Sequence, residues 1–237
     1  MKTPVETISL LRLSLAFMPT AIVVIYLFKW SLNGRTTLYA VARMLIQLML
    51  IGYVLTFVFT THSSLLVVGV LSLMLGMASW IALRPLAQKS ARTYLHALLA
   101  IVSGGVLTLA LVTQAVLRAD PWYAPAVVIP LAGMIFANCM NTVSLSAERY
   151  HAERERGLDL TACRNAALQA ALIPLTNSLF AVGLVSLPGM MTGQILSGVD
   201  PLIAARYQIM VMAMLFGSSG IAAIVFLTLS APHQSAD

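Results

Sequence analysis

Between Glu148 and Arg164 the chain carries Glu148, Arg149, Glu153, Arg154, Glu155, Arg156, Asp159 and Arg164, a density of charge found nowhere else along it. Two pairs have helical spacing. Arg149 and Glu153 stand at i,i+4, and Glu153 and Arg156 at i,i+3, so ion pairs can support a short helix in water. The chemistry such a segment offers is recognition. It is either a solvated loop or a docking helix for a soluble partner. A second group of polar residues falls inside apolar runs, where polar side chains are costly and point to function. These are Arg43 with Gln47 at i,i+4, Asn138 with Asn141 at i,i+3, and Asn177 beside Ser178. Facing one cavity, they would offer amide and hydroxyl oxygens to a substrate. The competing reading is hydrogen bonding between helices, worth about 0.6 kcal/mol each.

No constellation for catalysis is present. The chain lacks G-x-x-x-x-G-K-[ST], so it is not expected to hydrolyse ATP. His62, His96, His151 and His233 are scattered, without an H-x-x-x-H or C-x-x-C pairing that would suit zinc. Cys139 and Cys163 give no disulfide framework. Met190, Met191, Met210, Met212 and Met214 could serve a soft metal through their thioethers, although methionine is also a common core filler. Gly189-x-x-x-Gly193 and Gly217-Ser218-Ser219-Gly220 permit close helix or backbone approach.

The elements that position these groups are membrane spans. Of 237 residues 59% are hydrophobic and 9% charged, with mean hydropathy +0.90. Soluble domains carry about 25% charged residues, so an all-α, polytopic transmembrane bundle in a single domain (1–237) is expected. The net charge of +6 suits basic loops at an anionic membrane surface better than nucleic acid. Seven runs can each supply the roughly 20 helical residues that cross a bilayer. They lie near 8–28, 38–61, 64–83, 94–117, 124–146, 167–187 and 205–229. The first reads as an uncleaved helix. Lys29, Arg35, Arg84, Lys89, Arg92 and the arginines of the charged segment fall in alternate loops. That puts the N-terminus outside and the C-terminus and charged segment in the cytoplasm. Lys2, Arg12 and Arg206 count against it. Leu187–Pro201, with Pro188, Gly189, Met190, Met191, Gly193 and Asp200, reads as too apolar for an exposed loop and too broken for a helix. It is expected as a re-entrant segment buried against protein. Pro174 predicts a kink or a helix start.

Several motifs resemble one known family. Val41-Ala42-Arg43, Ile46-Gln47-Leu48 and Gly52-Tyr53-Val54-Leu55 look like its second span, and Ile129-Pro130-Leu131-Ala132-Gly133-Met134-Ile135 with Asn138 like its fifth. Ala171-Leu172-Ile173-Pro174, then Val182-Gly183-Leu184-Val185-Ser186-Leu187-Pro188-Gly189-Met190-Met191-Thr192-Gly193, Asp200-Pro201 and Tyr207-Gln208-Ile209-Met210-Val211 carry the strongest likeness. The family is the FetB/YbbM-like ABC transporter permeases, which includes plant aluminium-tolerance permeases. The resemblance covers about residues 38–228. It implies a multi-pass permease of the bacterial inner membrane that forms a homodimer and docks a separate FetA-like ATPase. It also implies export, with iron as the bacterial substrate. ATP would be used by the partner, and no cofactor is expected on this chain. The segment 148–166 then looks like the coupling loop, with Glu153, Arg154, Glu155, Arg156, Leu160 and Arg164 as coupling residues. Two positions depart from the family. Leu160, in Asp159-Leu160-Thr161, stands where Leu-Gly-Ala has glycine. Asn177 and Phe180, in Pro174-Leu175-Thr176-Asn177-Ser178-Leu179-Phe180, stand where the family has Asp and Lys. An Asn in place of Asp should hold a cation more weakly.

The leading expectation is therefore an ABC permease subunit exporting a metal ion or a small metabolite. The alternatives are an ATP-independent channel or secondary transporter built around 187–201, and a membrane scaffold.

Overall fold

The structure, a computed structural model, describes residues 8–60, 63–86 and 90–231. Lys2, His62, Lys89 and His233 lie outside the described residues. Contacts divide the chain into two units, residues 1–62 and 63–237.

The first unit contains α1 (Leu10–Leu15), α2 (Met18–Lys29) and α3 (Gly34–Thr60). Ser9 caps α1, its hydroxyl accepting from the Arg12 N–H. Pro19 sits in the first turn of α2, where a missing N–H costs nothing. Helices α2 and α3 pack together across a tight turn in which Ser31 has φ 55°. At Gly34 a Cβ would lie 2.8 Å from the Phe28 ring, so a larger residue there would have to displace that ring. Apolar side chains such as Ile46, Met49 and Tyr53 are exposed along α3, as a lipid-facing helix requires.

The second unit contains α4 (Ser64–Ala82), α5 (Ala91–Ile101), α6 (Leu107–Ala110), α7 (Pro125–Glu155), α8 (Leu160–Ala181), α9 (Gly189–Leu196) and α10 (Pro201–Ser230). Helix α5 runs into α6 and on to Val116 through two π-helical stretches, Val102–Val106 and Leu111–Val116. Helices α7 and α10 form the centre. They pack on each other, α7 also meets α4 and α8, and α10 also meets α5 and α9. Ile101, Ile135, Val143 and Phe226 are fully buried between them. Lipid tails are as apolar as leucine, so tight van der Waals packing rather than hydrophobic burial holds these helices together.

Close packing shows most clearly at Gly104 in the first π-helical stretch. A Cβ there would collide with the Ser218 carbonyl oxygen and lie 2.8 Å from the Ala222 nitrogen. Both are α10 backbone atoms, so nothing can swing away. The adjacent Gly105 lies against Phe136 of α7. By contrast Gly189, Gly193, Gly217 and Gly220, singled out from sequence for close approach, have no atom within 4 Å of an added Cβ. In α10 it is Ser218 and Ser219 that are buried. The missed signal was a Gly-Gly pair at mid-span.

Six helices among the described residues are long and apolar enough to cross a membrane: Leu11–Lys29, Gly34–Phe59, Ser64–Ala82, Ala91–Val116, Pro125–Glu155 and Pro201–Ser230. The seventh expected span, 167–187, corresponds to α8. Its 22 residues reach about 33 Å, but Arg164, Asn165, Gln169 and Asn177 make it more polar than the others. It starts earlier than expected and runs through Pro174. It ends at Ala181 because Gly183, at φ 84°, turns the chain. Leu187–Pro201 also differs from expectation. Residues Gly189–Leu196 are helical, and none of them is fully buried. Pro188 is the N-cap of α9 and Pro201 the first residue of α10. At those positions proline opens a helix instead of breaking one. The fold is a polytopic helical membrane bundle.

Gly104→Ala should destabilise by about 1–3 kcal/mol through overpacking, while Gly217→Ala should be neutral. Thermal unfolding of the two variants in detergent, beside wild type, checks this.

Candidate functional site

Helix α7 does not end with its apolar stretch. It continues through the charged segment to Glu155, so the expected short helix is the last turns of a 31-residue one. Both expected ion pairs form. Arg149 Nη2 lies 2.6 Å from Glu153 Oε1, and Arg156 Nη1 donates to the same oxygen at 3.1 Å. The Glu153 side chain is 5% exposed, and those of Arg149 and Arg156 are 43% and 64% exposed. A buried carboxylate costs several kcal/mol unless charge and hydrogen bonds compensate it. The two guanidinium groups do so and seal Glu153 against the turn.

The Glu153 carbonyl works with its carboxylate. It accepts from the Leu158 N–H at 3.3 Å, and the Arg154 carbonyl accepts from the Gly157 N–H at 3.0 Å. This is a Schellman closure of α7, and its left-handed residue is Gly157 at φ 82°. Asp159 then caps α8, its Oδ1 accepting from the Ala162 N–H at 2.7 Å. The Cys163 thiol donates to the Leu158 carbonyl at 3.5 Å. The turn between α7 and α8 is thus tied at both ends. Leu160 is the first helical residue of α8. No left-handed residue is needed there, because Gly157 already supplies the bend. Arg154, Glu155, Arg156, Gly157, Leu158 and Asp159 are exposed at the tip, Arg164 is half-buried one turn into α8, and Leu158 is 41% exposed.

The polar residues within spans are arranged differently from the expected shared lining. Asn138 donates through Nδ2 to the Met134 carbonyl at 2.9 Å, within its own helix. Thr142 and Ser146 follow the same pattern, bonding the carbonyls of Asn138 and Thr142. Ser178 Oγ donates to the Pro174 carbonyl at 2.9 Å, one turn back on its own helix. These bonds run along helices and not between them. Asn141, Asn177 and Ser178 are exposed on the second unit, while on the first Arg43 is half-buried and Gln47 exposed.

Two apolar cavities flank α9 and α10. One, of about 510 Å³, is lined by Pro130, Met134, Met190, Tyr207 and Met210 among others. The other, of about 450 Å³, is lined by Leu179, Met191, Gln208 and Met212 among others. Met190 and Met191 therefore face different cavities. None of Asn138, Asn141, Asn177 and Ser178 lines either one. Gln208, missed from sequence, is 6% exposed, and its Oε1 is a buried acceptor without a hydrogen bond. Its signal was an amide one residue after Tyr207 in an apolar run. Among the described residues no three His, Cys, Asp or Glu side chains are grouped closely enough to hold a metal ion.

Glu153→Gln keeps the side-chain shape but removes the charge that both arginines share. The expected cost is about 1–3 kcal/mol, read as a lowered Tm in detergent. The exposed Glu155→Gln should leave Tm unchanged.

The sequence matches the uncharacterised protein family UPF0014 over residues 8–159 and 155–234. It is 33% identical over 230 residues to the Escherichia coli protein named "Probable iron export permease protein FetB", covering 91% of this chain and 87% of that one. It is 35% identical over 206 residues to the Synechocystis UPF0014 membrane protein slr1647, covering 79% of each. Over 219 residues it is 32% identical to Arabidopsis thaliana Protein ALUMINUM SENSITIVE 3, covering 86% of this chain and 78% of that one. No solved structure matches. With six helices among the described residues long and apolar enough to cross a membrane, and a family match along nearly its whole length, the chain is a multi-pass membrane protein of the UPF0014 family.

Proposed function

We propose that the chain is the permease subunit of an ABC transporter, working as a homodimer and driven by a separate cytoplasmic ATPase that docks on the α7–α8 turn. The observation that carries this reading is the Glu153-centred closure. A coupling element must transmit force, so it has to be stiff and joined directly to the spans. Here α7 passes without interruption from the bundle centre into the charged turn, and α8 starts within a few residues of its end. Nucleotide-driven closure of the ATPases would push on the turn and tilt α7 and α8 as levers. Arg154, Glu155 and Leu158 form the exposed tip, a mixed charged and apolar surface suited to a protein partner.

The cargo is a metal ion or a small metabolite, moved outward, with iron suggested by the printed name of the Escherichia coli relative. The cavities beside α9 offer thioethers, one tyrosine and the unpartnered Gln208 amide oxygen. Such walls suit a soft or organic substrate better than a hard ion with carboxylate ligands. Iron transport would draw its oxygen ligands from other parts of the assembled permease.

The docking role has a direct test. Arg156 supports Glu153, so its charge reversal would damage the turn itself. Arg154→Glu with Leu158→Ser alters only exposed side chains. This double variant should keep its Tm but lose co-purification of a co-expressed candidate partner ATPase. Normal co-purification would remove the turn from the docking surface.

A further inference from the structure

A third cavity, of about 330 Å³, gathers residues distant in sequence at the end of the second unit that carries the charged turn. Arg92, Thr93 and His96 come from the start of α5, Tyr150 and His151 from the end of α7, and Ser230 from the end of α10. Among the described residues no carboxylate is in its lining. Arg92 makes no ion pair among the described residues, in contrast to Arg149 and Arg156. The Ser230 hydroxyl lies 3.5 Å from His96 Nδ1, so the contact engages one ring nitrogen. The His151 ring rests edge-on against Tyr150 at 6.1 Å between centroids.

The electrostatic balance favours an anion. The N-terminus of α5 contributes roughly half a positive charge and the C-terminus of α10 roughly half a negative one. These offset each other, leaving the Arg92 guanidinium as the charge of the lining, with the two imidazoles as hydrogen-bonding groups beside it. Glu148, one turn before His151, is exposed and outside the lining. The cavity volume is at the low end of the roughly 300–1,000 Å³ typical of ligand sites, enough for a headgroup but not for a large metabolite.

We propose that this pocket binds the phosphate of an anionic phospholipid headgroup. The choice of a lipid over free phosphate rests on α5 itself. Leu95 and Leu99, 50% and 45% exposed, continue down the helix from Arg92 and His96 at helical spacing. Leu229 borders the pocket on α10. A basic mouth above an exposed apolar stripe matches a phosphate with acyl chains below it, as in basic pockets at the cytoplasmic ends of transmembrane helices. Because the pocket spans α5, α7 and α10, an occupying lipid would brace the base of the charged turn. The inference does not depend on which partner docks there.

The test uses the full chain in nanodiscs of phosphatidylcholine, with phosphatidylglycerol or with inorganic phosphate added. Native mass spectrometry should retain phosphatidylglycerol in preference to phosphatidylcholine, and phosphatidylglycerol should raise Tm. Arg92→Gln with His151→Gln should weaken retention about fivefold or more, since one basic residue near the surface is worth about that factor. Its Tm in phosphatidylcholine alone should equal wild type, and Arg92→Lys should keep most of the retention. Equal retention of the two lipids, or unchanged retention in the double variant, overturns the site. Inorganic phosphate raising Tm in phosphatidylcholine as much as phosphatidylglycerol does overturns the lipid assignment.

Discussion

The interior of a bilayer offers no hydrogen-bond partner, and nearly every feature of this chain follows from that constraint. Backbone amides must be paired within each crossing segment, which requires helices. Hydroxyls in the spans must also be paired, and Ser79, Thr113, Thr142, Ser146 and Ser178 each bond a carbonyl on their own helix. Charge is driven to the helix ends. The Glu153 carboxylate, buried where α7 leaves the apolar region, is held by two arginines on its own segment. Not every buried polar atom is paired: among the described residues the Tyr150 and Ser219 hydroxyls and the Gln194 and Gln208 amide oxygens make no hydrogen bond, and Gln208 lies beside a cavity.

The same constraint shapes packing. Hydrophobic burial cannot drive helices together in lipid, so contact quality decides. Gly104 lets the π-helical stretch after α5 approach the backbone of α10, and Gly105 admits Phe136. These contacts tie α5, α7 and α10 into one body. Motion of the α7–α8 turn would thus be transmitted to the helices that flank the cavities.

Local features were legible in the sequence. Spacing alone identified the pairing of Arg149 and Arg156 with Glu153, and hydropathy located the long apolar helices. Features requiring three dimensions were hidden. Leu160 looked like a lost turn glycine, but the bend is made three residues earlier at Gly157. The prolines around α9 looked like helix breakers, yet they stand at helix starts, where proline is favourable. The asparagines looked like a cavity lining, but Asn138 is satisfied by its own helix. The basic pocket could not be read at all, because Arg92, His151 and Ser230 meet only when three helix ends converge.

The central claim is mechanical coupling between a soluble ATPase and this bundle through the α7–α8 turn. The most direct measurement is ATP hydrolysis by a candidate partner ATPase, reconstituted in liposomes with and without the chain. The account requires the rate to change when the permease is present and to return to the ATPase-alone value with Arg154→Glu/Leu158→Ser. A rate indifferent to the permease would contradict it.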